Sequence, residues 1–120
     1  MTKEFVTYEQ ALALKELGFD EPCFGYWKSK NWLIQEKTRT DGYTHADQEC
    51  SAPTFSQAFR WFREKYGYLV SPFQNEDNLF FFEIGRLNSL ITEYYSLDCE
   101  TYEEAELACL RKLIELVKQK

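Results

Sequence analysis

Histidine is almost missing from this chain: His45 is the single imidazole in 120 residues. One His cannot supply the paired zinc ligands of an HExxH helix, and that motif is absent. A Gly-rich phosphate cradle and a nucleophile elbow are absent too. The four cysteines, Cys23, Cys50, Cys99 and Cys109, include no CxxC pair. They are expected to be reduced, partly buried thiols. No apolar leader follows Met1 and no long apolar run occurs, so the expectation is a cytoplasmic chain that does not span a membrane. Cations are outnumbered, 14 Lys and Arg against 20 Asp and Glu. The formal charge of −6 disfavours wholesale binding along a phosphate backbone.

What is present is apolar. Hydrophobic residues make up 44% of the chain and aromatics 18%, too much for a disordered segment. The length fits one domain over 1–120, able to bury roughly two thirds of its unfolded surface.

One phrase is written three times, 47 residues apart: Thr7-Tyr8-Glu9-Gln10-Ala11, Thr54-Phe55-Ser56-Gln57-Ala58 and Thr101-Tyr102-Glu103-Glu104-Ala105. Each reads as a capping box, a Thr that accepts from the N3 amide and a Gln or Glu that reaches back. The first predicts a helix over 8–17, with Val6 as staple and Gly18 as the left-handed C′ residue. The second predicts a helix over 55–66, with an apolar stripe of Phe55, Ala58, Phe59, Phe62 and Tyr66 and a stop at Gly67. The third predicts a helix over 102–117 that is apolar round more than half its circumference. Between them, 23–28 and 31–36 read as a hairpin and 37–53 as a long polar loop able to hide a short strand. Tyr68–Val70 reads as a strand stopped by Pro72, 79–84 as a central strand, and 90–97 as its partner across Asn88-Ser89; Leu87, Leu90, Ile91 and Tyr94 also fit a helix, but Ile91, Thr92, Tyr94 and Tyr95 favour the strand. The fold class is therefore α+β, three helices packed on an antiparallel sheet. Two origins fit the spacing: a duplicated helix–β-hairpin unit, 7–53 and 54–100, closed by the helix 101–118, or capping physics recurring by chance. Beyond the shared phrase the copies align poorly, with Leu12 facing Phe59 and Glu106.

The stretches Ala52-Pro-Thr-Phe-Ser-Gln-Ala-Phe-Arg-Trp-Phe-Arg-Glu-Lys65 and Thr101-Tyr-Glu-Glu-Ala-Glu-Leu-Ala-Cys-Leu-Arg-Lys-Leu-Ile114 resemble those of a family of short uncharacterised proteins of gut bacteria and their phages. Phe5 to Tyr8, Ala11 to Phe19 and Glu21 to Tyr26 share the likeness, which covers about half the chain and misses 37–51. The family brings no activity with it. Residues 54–118 also resemble a double-stranded-RNA-binding domain in element order, α-β-β-β-α. Where that module's last helix carries a basic cluster, this chain has Glu103, Glu104 and Glu106, which removes the phosphate-binding residues.

Three constellations remain. Arg60, Arg63 and Lys65 around Trp61 give 54–73 a local charge of +2, a small anion or nucleic-acid site with Trp61 as stacking platform, or a plain solvated helix face. The segment 74–100 holds six acids and one cation, and can mimic phosphate toward a basic partner. His45 with Asp47, Glu49 and Cys50 is too sparse for a metal or thiol centre. Surplus aromatics, Tyr26, Trp27, Trp32, Tyr94 and Tyr95, suggest an interaction surface. The sequence reading is a non-catalytic interaction module whose partner is another protein, with no cofactor and no metal. Nucleic-acid contact is the alternative. The third helix needs cover on two stripes, from neighbouring helices or from a second copy in a homodimer.

Overall fold

The computed structural model describes residues 4–40, 50–89 and 91–119. Among them are three helices and six strands, in the order α1 (Tyr8–Glu16), β1 (Cys23–Ser29), β2 (Trp32–Thr40), β3 (Cys50–Ser51), α2 (Phe55–Tyr66), β4 (Tyr68–Gln74), β5 (Phe80–Arg86), β6 (Thr92–Tyr95) and α3 (Tyr102–Lys118). The α+β class holds. The strands divide between two three-stranded antiparallel sheets, ordered β2-β1-β3 and β4-β5-β6. The chain falls into two compact units, 1–57 and 58–120, and the division lies inside α2.

In the first unit α1 opens on a complete capping box. Thr7 Oγ1 accepts from Gln10 N at 3.2 Å, and Gln10 Oε1 accepts from Thr7 N at 3.3 Å. It closes on a Schellman turn around Gly18 at φ 100°: the Phe19 amide donates to Leu14 O at 2.9 Å and the Gly18 amide to Lys15 O at 3.0 Å. Leu14 and Phe19 are both buried. The helix lies against β3 and β1. Trp27 on β1 meets Tyr8 edge-on, ring centroids 6.2 Å apart, and its Nε1 donates to Val6 O at 3.0 Å. Gly25 is where this sheet has no room: a Cβ there would sit 3.0 Å from Ile34 O and 3.1 Å from Phe5 Cε1.

The expected loop 37–53 is corrected at both ends. β2 runs on to Thr40, which pairs with Cys23, and Cys50–Ser51 forms a third strand opposite Trp27 and Tyr26. Residues 41–49 lie outside the described residues.

In the second unit the sheet has two chemically different faces. Opposed residues share a face and neighbours alternate. Tyr68, Val70 and Pro72 on β4 therefore lie with Arg86, Ile84 and Phe82 on β5 and Tyr94 on β6. This inner face holds Tyr68, Phe82 and Ile84, all 2% exposed or less. Phe59 of α2 and Tyr102 of α3 both meet Phe82, at centroid distances of 5.6 and 5.5 Å, so both helices cover the same face. The expected stop at Pro72 is also corrected: β4 passes through it. The Phe82 amide donates to Ser96 Oγ at 2.7 Å and its carbonyl accepts from the Ser96 amide at 2.8 Å, so its polar groups point toward β6. Pro72, opposite Phe82 on the edge strand, thus needs no N–H on the sheet side.

Only the first capping box is complete. Thr54 Oγ1 accepts from the Gln57 amide at 3.2 Å, but the Gln57 side chain donates to Pro22 O at 2.8 Å. Thr101 Oγ1 accepts from the Glu104 amide at 3.1 Å and donates to the Glu104 carboxylate at 3.0 Å. The two halves share the order helix, three strands, yet the first strand is central in one sheet and the second strand in the other. No helix is long and apolar enough to cross a membrane among the described residues.

Candidate interaction surface

α2 exposes Arg60, Arg63 and Lys65 but not Trp61. The indole is 6% exposed and packs edge-on against Phe62 and Tyr66, centroids 5.1 and 5.6 Å away. Lys65 Nζ lies 5.1 Å from the Trp61 centroid and 5.7 Å from that of Tyr66. The stacking platform expected at Trp61 is therefore corrected. The ring is turned inward, and Lys65 lies over it, a cation–π contact within the chain.

The surplus aromatics do not form one patch. Tyr26, Trp27 and Trp32 belong to the first sheet, Tyr94 and Tyr95 to the second. Trp27 is held by Val6 and Tyr8, a packing role. Trp32 is 55% exposed, with Lys28 Nζ 4.7 Å from its centroid. Tyr94 is half-buried on the inner face, with Lys112 Nζ 5.3 Å from its ring. Tyr95 is 61% exposed on the outer face.

That outer face carries more than the sequence reading found. Leu69, Ser71 and Phe73 lie on it opposite Gly85, Glu83 and Phe81. Phe73 stacks on Phe81 with centroids 5.7 Å apart and planes at 20°. Phe81 reaches diagonally to Tyr95 at 6.1 Å. Three rings thus form a row across all three strands, and its outer members, Phe73 and Tyr95, stand well into solvent. Phe73 and Phe81 escaped because 79–84 reads as a uniform apolar run. The signal was the alternation past Phe82: Glu83 marks the outward register, and Phe81 and Phe73 share it.

Two of the four thiols, Cys50 and Cys109, are buried and held toward the protonated form. Burial pushes the Cys50 thiol up to about 11, only partly offset by Lys15. Burial, with Glu106 adding to it, pushes Cys109 up to about 12. Both stay protonated at neutral pH. His45, Asp47 and Glu49 lie outside the described residues. Among the described residues no three His, Cys, Asp or Glu side chains converge as a metal site requires. Comparison with protein families, with curated proteins and with solved structures finds no match for this chain.

Proposed function

We propose that this chain is a non-catalytic interaction module of the cytosol whose partner is another protein, engaged by the outer face of the second sheet. The observation that carries the proposal is the aromatic row Phe73–Phe81–Tyr95, whose outer members Phe73 and Tyr95 are open to solvent. Aromatic side chains are concentrated in protein interfaces and their hot spots, and an exposed apolar face is a liability unless something uses it. Burial of the Cys50 and Cys109 thiols, which keeps both protonated, fits a structural role for these two side chains. The family resemblance adds no activity.

Affinity capture from the native host, with mass spectrometry and a reciprocal pull-down, tests the proposal. One partner should be retained by the wild type and lost from Phe73→Ser and Tyr95→Ser. Turnover of an ester, phosphate or glycoside that disappears in a His45 or Cys50 variant would overturn it.

A second reading has its own observation. Glu76, Asp77, Glu93, Asp98 and Glu100 of the acidic segment are all exposed. Mimicry of phosphate toward a nucleic-acid-binding partner uses that charge. Direct nucleic-acid contact through Arg60 and Arg63 is separable from it. A low-salt mobility shift that weakens in Arg60→Ala/Arg63→Ala would support direct contact.

A further inference from the structure

The aromatic face has a carboxylate at its centre. Glu83 lies directly opposite Tyr95 on one side and Ser71 on the other. Phe81 precedes it by two residues and shares its face. Thr92 Oγ1 donates to Glu83 Oε1, which anchors the carboxylate and uses one of its roughly four lone-pair positions. Opposed residues in a sheet stand about 5 Å apart and alternate residues about 7 Å apart. A cation paired with Glu83 therefore comes within reach of the Phe81 and Tyr95 rings, whose faces attract positive charge at about 6 Å.

We propose that this face seats an arginine side chain from a basic segment of the partner, with Glu83 as counter-ion and Phe81 and Tyr95 as flanking rings. The inference rests on the protein-interaction reading and names the partner's chemistry. Charge selects the occupant. Residues 68–100 contain six acids and one cation, Arg86. Arg86 shares the inner register with Tyr68, donates to the Tyr68 hydroxyl at 3.2 Å and lies 3.4 Å from Glu93 Oε1. A nucleic-acid strand stacked on the three rings would meet the Glu83 carboxylate and no outward cation of this sheet. A second copy packed on the same face would bring another uncompensated Glu83 and no cation to pair it. A basic peptide satisfies both the rings and the charge. Arginine is favoured over lysine because its planar guanidinium stacks on a ring while forking to a carboxylate.

Fluorescence anisotropy on the intact chain tests the seat. The probes are a labelled nonapeptide alternating Arg and Ser, its Lys and citrulline counterparts, and a labelled twenty-nucleotide oligo-dT. The Arg peptide should bind best and the citrulline peptide least. Glu83→Gln and Tyr95→Ser should each weaken it about tenfold, while Glu115→Gln, which removes the same charge from α3, should change it less than twofold. Thermal melts of the two site variants verify that they fold, and Phe73→Ser on the exposed end of the row provides a third variant. Equal losses in Glu83→Gln and Glu115→Gln would reduce the effect to diffuse charge attraction and overturn the seat. Binding of oligo-dT that Tyr95→Ser abolishes would overturn it in favour of a base-stacking platform. No binding of any peptide overturns it as well. A captured partner retained equally by wild type, Glu83→Gln and Tyr95→Ser would sink the seat and leave the interaction reading standing. Turnover lost with His45 or Cys50 would sink the reading itself.

Discussion

At Ser96 a side chain takes the place of the backbone. Its hydroxyl accepts the buried Phe82 amide at 2.7 Å where the ladder would otherwise supply a carbonyl. Ser96→Ala leaves that amide unpaired, and it should lower stability by about 1–3 kcal/mol, read from denaturant midpoints at constant slope. Leu113 on α3 is fully buried. Leu113→Asp should abolish the cooperative melt, since an unpaired charge there costs several kcal/mol, and an unchanged melt would show the wrong face inside. Glu106 bears on pH. Burial, reinforced by the charge of Glu103, pushes its carboxyl from the ordinary 4.5 up to about 7. The folded state therefore holds this proton more tightly than the unfolded chain does. The stability it brings is complete below pH 4.5 and is lost as pH rises through about 7. Glu106→Gln should raise the melting temperature at pH 8 and leave it nearly unchanged at pH 4, so that the variant melts with less pH dependence than the wild type. At this scale the sequence was half legible. The amide that each capping Thr accepts could be read from local spacing, because it lies three residues on, whereas the side-chain partner of Gln57, Pro22, could not. The burial of Trp61 could not, because it depends on which way α2 is rotated and its neighbours Arg60 and Arg63 suggest an outward face.

Helices were the most legible elements, for a physical reason. The starts at Tyr8, Phe55 and Tyr102 follow from a Thr one residue earlier, and the stops at Gly18 and Gly67 from residues able to hold positive φ. Thr7→Ala removes the acceptor of a complete capping box and should cost about 1 kcal/mol, measured by urea titration. Gly67, at φ 75°, has nothing within 4 Å of a would-be Cβ, so Gly67→Ala should cost only the backbone term, about 1 kcal/mol. Strands were read less well because their partners are remote in sequence. Cys50–Ser51 is a strand only because β1 offers it an edge, and no pattern two residues long announces that. β4 continues through Pro72 because the ring nitrogen falls on the solvent side of an edge strand, a fact about register. The aromatic row was hidden for the same reason: Phe73, Phe81 and Tyr95 are neighbours only once three strands are aligned.

For the molecule as a whole, a formal charge of −6 opposes self-association. Sedimentation equilibrium at high micromolar concentration should return a single species of 14.3 kDa. A heavier species would show that the apolar surplus of α3 or the aromatic face is shared with a second copy. The division into two units was not legible. No Pro-, Gly- or Ser-rich stretch marks it, because it falls inside α2.

That position has a consequence for how the chain is made. Phe5 pairs with Thr54, the Val6 amide donates to Pro53 O, and the side chain of Gln57 reaches back 35 residues to Pro22. The first unit therefore cannot close on the ribosome until Thr54 to Gln57 have left the exit tunnel. These same residues are the first turn of α2, the costly nucleation step of any helix. The residues that complete the N-terminal half are thus also those that open the helix continuing into the C-terminal half.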